Sequence, residues 1–201
     1  MFVAGIDEAG RGPIAGPVAV GIAVVKDRFD WSLIPGVTDS KKLSEKKRAA
    51  IFAQAKALKK EGLLDYEVVL MSAKQIDKMG VSKAIAAAIE KGCTKLNLDK
   101  KRTYIKLDGL LKAPDVFSQE TIIKGDQKEK IIGLASICAK EIRDAYMIKV
   151  DKKFPEYGFA IHKGYGTKNH RMMVCEKGMS TEHRESYCQN RHLWCKVNTS
   201  S

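Results

Sequence analysis

Phe2-Val3-Ala4-Gly5-Ile6-Asp7-Glu8-Ala9-Gly10-Arg11-Gly12-Pro13 stands at the start of this chain of 201 residues. Phe2 to Asp7 reads as a short apolar strand, and what leaves it is a carboxylate pair followed by a glycine-flanked arginine. Glycines there let backbone approach a ligand closely. Adjacent acids beside such a loop suit a metal-dependent site acting on a phosphate-linked substrate. Gly10 to Pro17 holds three glycines and two prolines, the composition of a tight functional loop. Gly16 to Val25, rich in valine and isoleucine, predicts a second strand.

Working outward, Val37 to Leu43 is polar and basic, and Ser44 can cap a helix running through Leu58 with Ile51, Ala55 and Leu58 on one face. Leu63 to Leu70 is strand-like, and Ser82 starts a second helix with Ile85 and Ile89 four apart. Thr103 to Leu107 alternates apolar and polar residues and ends at Asp108-Gly109, a turn dipeptide. Gln119 to Lys124 is a short strand candidate. From Lys128 to about Asp151, Ile131, Ala135, Cys138, Ile142 and Ala145 recur at helical spacing, and Leu134 and Ile137 broaden the stripe. Residues 1–201 are expected to form a single α/β domain, with a helical and loop extension and a polar tail from about 153 to 201.

Read without any relative, the acids leave two roles open. Asp7 and Asp108 each end a strand; if those strands are neighbours, both emerge at one sheet edge. Glu8 follows Asp7 directly, so it faces the other side of the pleat unless the strand is already breaking there. Asp126-Gln127-Lys128-Glu129 before an apolar helix is a capping-box pattern, which by itself accounts for Asp126.

Lysine and arginine number 36 against 24 acids, a formal charge of +12, which favours a polyanionic partner, nucleic acid first. No stretch approaches the ~18 apolar residues of a membrane span, and the N-terminus has no secretory pattern. Five cysteines, odd in number and without a C-x-x-C, predict a reduced protein of the cytoplasm. His183, Cys188, His192 and Cys195 raise the thought of zinc, but their spacing is irregular.

The ordered motifs carry a resemblance. Gly5 to Pro13 is followed by Asp39-Ser40-Lys41-Lys42-Leu43-Ser44, Leu107-Asp108-Gly109, Lys124-Gly125-Asp126 and Ala135-Ser136-Ile137-Cys138-Ala139-Lys140 with Arg143-Asp144. Tyr157-Gly158-Phe159 and His162-Lys163-Gly164-Tyr165-Gly166-Thr167 complete the series. From about residue 3 to 187 the chain resembles bacterial ribonuclease HII, the type 2 ribonuclease H.

The resemblance implies a ribonuclease H-like fold, a central mixed five-stranded sheet flanked by helices. It implies an endoribonuclease acting on RNA–DNA hybrids and on DNA duplexes containing ribonucleotides, with two divalent ions, Mg2+ or Mn2+, held by Asp7, Glu8, Asp108 and Asp126. Gly10, Arg11, Gly12 and Tyr165 match the residues that recognise the ribose 2′-hydroxyl, the group that separates RNA from DNA at a given sugar. Ser40, Lys41, Lys42 and Lys163 match positions near the substrate backbone. A monomer is expected.

Departures are Gly133 inside a helix, an unfavourable residue there, and Ser180 to Tyr187, which matches the family's ending only in part. Two alternatives stand beside this reading. One is a ribonuclease HIII-like enzyme, whose family carries Gly-Thr-Gly at Gly10-Arg11-Gly12 and an additional N-terminal domain for which a motif beginning at Gly5 leaves no room. The other is a nucleic-acid-binding protein without catalysis.

Overall fold

The structure is a computed structural model of the chain and describes residues 1–196; the end of the expected polar tail, 197–201, lies outside the described residues. Strands β1 (Phe2–Ala9), β2 (Val18–Lys26), β3 (Leu64–Met71), β4 (Thr103–Asp108) and β5 (Ser118–Ile122) form one mixed sheet in the order β3-β2-β1-β4-β5. β1 runs antiparallel to β2 and parallel to β4, with Asp7 opposite Gly21 on one side and Ile6 opposite Leu107 on the other.

Side-chain alternation sorts the strands into two faces. Ala4, Ile6, Val20, Ile22, Ile105 and Leu107 point to one core, filled by Ile85, Ala88 and Ile89. These come from α3 (Val81–Lys95), which bears out the periodicity read around Ile85. The other core holds Ala23, Val25, Ile51, Ala55 and Leu58 against Ile131 to Cys138. Its helices are α1 (Glu45–Lys60), α4 (Gly125–Lys128), a single turn, and the 22-residue α5 (Lys130–Asp151). Ser44 caps α1 as expected, accepting from the Lys47 N–H.

One helix, α2 (Ala73–Met79), has no counterpart in the sequence reading. Seven residues are too few to show a period, but Ser72 and Gln75 form a reciprocal capping box that satisfies two amide donors at its start.

The position of α5 decides the geometry of everything near Asp7. A Cβ at Gly5 would stand 2.4 Å from the Ile131 carbonyl, and one at Gly21 would stand 2.2 Å from the Ala135 oxygen. The helix backbone therefore lies directly on the sheet. Gly133, which looked unfavourable, has the same explanation: a Cβ there would be 3.1 Å from the Asp126 oxygen and 3.3 Å from Thr38.

Beyond α5, a short 3-10 turn (Pro155–Tyr157) leads to α6 (Phe159–His162), α7 (Lys168–Lys177) and α8 (Arg191–Lys196). They gather around Met147, Val150, Tyr157, Phe159 and Val174. Cys175 and Cys195 form a disulfide between α7 and α8, so the expectation of an entirely reduced chain is corrected; Cys93, Cys138 and Cys188 are free and buried. Among the described residues, no helix is long and apolar enough to cross a membrane.

Because Gly21 faces helix backbone that cannot move aside independently, Gly21→Ala is expected to destabilise the protein by about 2 kcal/mol or more. Urea denaturation of the variant against the parent measures this, and an unchanged midpoint contradicts so close an approach of α5.

Candidate active site

Asp7 lies on the α5 face of β1, the same face as Gly5, and is buried to 4% exposure. Ser136 of α5 lies close enough to its carboxylate to favour the charged form, and the Glu8 N–H donates to its Oδ1 at 2.7 Å. Burial pushes the Asp7 carboxyl up to about 8, with Glu8 and Asp108 adding to the rise against the pull of Ser136. β4 alternates in step with β1: Ile105 and Leu107 face the α3 core, so Asp108 faces α5 beside Asp7. Its Oδ1 accepts the Gly125 N–H at 2.6 Å, which ties the end of β4 to the turn carrying Asp126.

Asp126 is buried and does not cap the long helix. It sits in the first turn of α4, and Glu129 takes the position before α5 without a side-chain cap bond. Burial raises the Asp126 carboxyl, and the neighbouring Asp39 and Asp108 raise it further. Asp39, itself buried, accepts from the Lys41 N–H and from Gln127.

Glu8 behaves differently. β1 does not break before it but continues to Ala9, so Glu8 falls on the opposite side of the pleat, and its carboxylate binds Arg11 Nε at 2.9 Å. Asp7, Asp108 and Asp126 are thus gathered on one side, with Glu8 at the rim. Among the described residues none of the first three has a cationic partner within 4.0 Å. No three His, Cys, Asp or Glu side chains among those residues stand in ready-made ligating geometry. An all-oxygen donor set with unbalanced negative charge fits a hard divalent cation that brings its own waters.

The other predicted residues divide. Ser40 is buried, with its Oγ 2.8 Å from Ser136 Oγ, so it braces the wall behind Asp7 instead of facing outward. Lys41 is exposed, while Lys42 donates to Gln127 at 2.9 Å. Arg48 of α1 holds this segment from below: it donates to the Ser40 and Leu43 carbonyls and pairs with Glu141 at 2.7 Å and Asp144 at 3.8 Å. Lys163 turns its ammonium back onto the Ala160 carbonyl.

Gly10, at φ +87°, lies against Arg143, whose Nε would be 1.9 Å from any Cβ placed there. Gly12 opens onto free space. The Gly164 carbonyl accepts both the Ile14 and Ala15 N–H groups, so the turn bearing the half-exposed Tyr165 abuts the loop after Gly12.

A chain of imidazoles underlies that turn. The Ser180 N–H donates to His183 Nδ1 at 2.9 Å, so neutral His183 carries its proton on Nε2 and donates to His170 Nε2 at 3.0 Å. His170 then bears its proton on Nδ1, which donates to the Tyr165 carbonyl at 2.9 Å. His183 is spent on this chain and Cys195 on the disulfide, so the four-residue zinc idea does not hold.

With this geometry in place, comparison with known proteins decides the family. The sequence signature of Ribonuclease HII matches residues 4–197. The chain belongs to the ribonuclease HII family. It is 40% identical over 185 residues to Ribonuclease HII of Syntrophotalea carbinolica, covering 92% of this chain and 84% of that one. Among solved structures, ribonuclease H2 from Pyrococcus horikoshii OT3 superposes with a TM-score of 0.74 at 28% identity, over 98% of this chain and 100% of that one. Bst-RNase HIII in complex with Mn2+ shares the fold at 19% identity, with a TM-score of 0.73, over 98% of this chain and 71% of that one. Membership in the ribonuclease HII family makes the protein a metal-dependent endoribonuclease of RNA–DNA hybrids.

Several supporting residues escaped the sequence reading. Asp39 and Ser136 lay inside quoted motifs but carried no signal of burial beside the acids. Arg48, Arg143, His170 and Arg184 look like surface residues in a basic chain, and only the fold shows them buried.

Burial holds the His170 and His183 imidazoles down at about 4, against an ordinary value of 6.5. Between those values the unfolded chain binds more protons than the native one, so the stability that both provide above about 6.5 is lost as pH falls toward 4. His183→Gln, which cannot take up a proton, is expected to show a shallower acid-side loss in urea denaturation. Equal slopes argue against a neutral imidazole chain.

Proposed function

We propose that the protein hydrolyses the phosphodiester on the 5′ side of a ribonucleotide, both in RNA–DNA hybrids and at single ribonucleotides embedded in duplex DNA. The products are a 3′-hydroxyl and a 5′-phosphate. The observation that carries this reading is the convergence of Asp7, Asp108 and Asp126 around the ends of β1 and β4, beside the Gly10–Gly12 loop and Tyr165. Among the described residues no cation is in salt-bridge contact with them, and only Lys41 acts on Asp126 from further off.

Asp7, Glu8, Asp108 and Asp126 would hold two divalent ions, Mg2+ or Mn2+, both of which accept an oxygen-rich set. When bound, such ions supply an activated water and stabilise the departing oxygen of an in-line displacement. The chain's own residues supply position. Ser136 and the Glu8 N–H orient the Asp7 carboxylate, and the Gly125 N–H orients Asp108. Arg11 holds Glu8 at the rim, so the loop offers its backbone, not its guanidinium, to the ribose.

Tyr165 packs on the sugar next to the 2′-hydroxyl. Lys41 is directed at phosphate, with Ser40, Lys42 and Lys163 shaping its surroundings, so cleavage is sequence-tolerant and weakens with salt. The protein is taken to act as a monomer, and residues 1–201 as one catalytic domain whose extension from about 153 carries Tyr165. We take the enzyme to act in the cytoplasm, although a disulfide such as Cys175–Cys195 is uncommon in reducing compartments.

Incubating the protein with Mg2+ and a duplex holding one ribonucleotide tests the activity and the end chemistry together. A single nick on the 5′ side is expected; binding without nicking leaves only a nucleic-acid-binding protein. Asp7→Asn is expected to reduce nicking by more than about a hundredfold, since even outer partners of a metal ligand contribute ~10–100-fold. The same change removes a buried carboxyl that the metal-free fold must hold protonated at a cost, so the metal-free variant is expected to melt higher than the parent. It is also expected to gain less stability from added Mg2+. A parent-like nicking rate removes Asp7 from the centre of the reaction.

A further inference from the structure

The segment Ser180–Cys188 returns from the far end of the chain to clasp the Gly10–Pro17 loop. Its backbone is interleaved with that loop: the Gly16 N–H donates to the Glu182 carbonyl at 2.8 Å and the Arg184 N–H to the Ile14 carbonyl at 2.8 Å. Asp77 of α2 anchors the other side through the Glu185 and Ser186 N–H groups. Arg184 at its centre is fully buried and has no carboxylate within 4.0 Å among the described residues. Instead it spends its fork on backbone: Nη2 on the Gly10 carbonyl at 2.6 Å, Nη1 on that of Arg11 at 2.9 Å, and Nε on that of Gly16 at 2.9 Å. The Tyr187 hydroxyl also donates to the Arg11 carbonyl.

These bonds have a directional consequence. In a trans peptide the C=O of one residue and the N–H of the next point opposite ways. With the Gly10 and Arg11 carbonyls drawn inward onto Arg184, the Arg11 and Gly12 N–H groups turn outward. Among the described residues neither N–H has a protein acceptor, and the space above Gly12 is open. His183, next to Arg184, governs the neighbouring element through the imidazole chain, which ends on the Tyr165 carbonyl.

We infer that His183-Arg184 is the positioning element of ribose recognition: Arg184 aims the amides of residues 11 and 12 at the 2′-hydroxyl, while His183, through His170, sets Tyr165 beside them. This deepens the function proposed above and rests on it. A buried cation held by carbonyls and the Tyr187 ring, without a carboxylate in contact, is costly unless its geometry is used, and here the carbonyls it holds belong to the loop proposed to meet the sugar. Lysine cannot substitute, because a point charge does not hold three divergent carbonyls in a plane.

The test compares two constants for the full chain: KM for nicking a duplex with one ribonucleotide, and the inhibition constant of the same duplex made entirely of DNA. The all-DNA competitor presents the same phosphates without the 2′-hydroxyl, so a general structural fault weakens both. Arg184→Lys is expected to raise KM roughly tenfold, equivalent to about 1.4 kcal/mol, while leaving the inhibition constant within about twofold. His170→Phe, which cannot donate to the Tyr165 carbonyl, is expected to move the ratio the same way. His170→Asn, whose amide can donate there, is expected to restore it.

Melting curves establish that each variant is folded. If Arg184→Lys melts below the assay temperature, the His170 pair decides. Folded variants that keep the parent ratio, or that lose both affinities equally, overturn the inference. A parent protein that nicks nothing, or binds both duplexes alike, overturns the underlying function and the inference with it.

Discussion

The close approach of α5 to the sheet is the constraint on which the rest of the structure depends. Gly5 and Gly21 face α5 on neighbouring strands, so helix backbone rests on strand backbone where a side chain would otherwise hold the two apart. That approach lets Ser136 reach Asp7 and places Ser40, one layer out, within 2.8 Å of Ser136. Gly133 extends the same logic to Thr38 and Asp126. Contact between helix and sheet thus becomes contact between a helix and two separate acidic segments, and the carboxylates converge because their supports have no room to diverge.

The electrostatics of the site run against the rest of the molecule. A chain of formal charge +12 places no cation in salt-bridge contact with Asp7, Asp108 or Asp126 among its described residues, and Lys41 acts on Asp126 only from further off. Burial then forces Asp7 up to about 8 and raises Asp126. A site selected for stability alone would place a lysine or arginine there. Leaving it unbalanced costs native stability at neutral pH and reserves the carboxylates for charge that arrives from outside. The basic exterior serves the complementary purpose of drawing in a polyanion.

Much of this was legible in the sequence, for identifiable reasons. Thr103 to Leu107 showed its strand because alternation survives in a half-exposed element, and Ser44 marked the start of α1 because capping is local chemistry. The neighbouring strand ends predicted Asp7 and Asp108 together, and the parallel pairing of β1 with β4 puts them there. Asp126 was ambiguous because a capping box and a site acid look identical in one dimension. Glu8 was expected to need a broken strand, whereas β1 continues and Arg11 takes its carboxylate. The α2 helix was missed because seven residues show no period even though Ser72 and Gln75 cap it locally. The pairing of Cys175 with Cys195 and the burial of the arginines were invisible because nothing local encodes which partner the fold brings up.

That last category has a physical consequence for how the site is completed. The bonds from Arg184 to Gly10, Arg11 and Gly16 close loops of 168 to 174 residues, while Ser40 to Ser136 closes 96 and Asp108 to Gly125 only 17. Loop-closure entropy rises slowly with length, so the longest of these contacts costs little more than the intermediate one once the core exists. What it requires is that both partners be presented already formed: the Gly10–Pro17 turn on β1, and the Ser180–Cys188 segment on Asp77 and the aromatic cluster around Tyr157. The acids can therefore gather when the sheet and α5 pack, whereas the Gly10–Pro17 loop takes its shape only when the end of the chain docks. The acidic cluster and the glycine-flanked loop thus depend on different parts of the fold, and under the proposed function residues remote from the carboxylates are free to govern which substrate is cut.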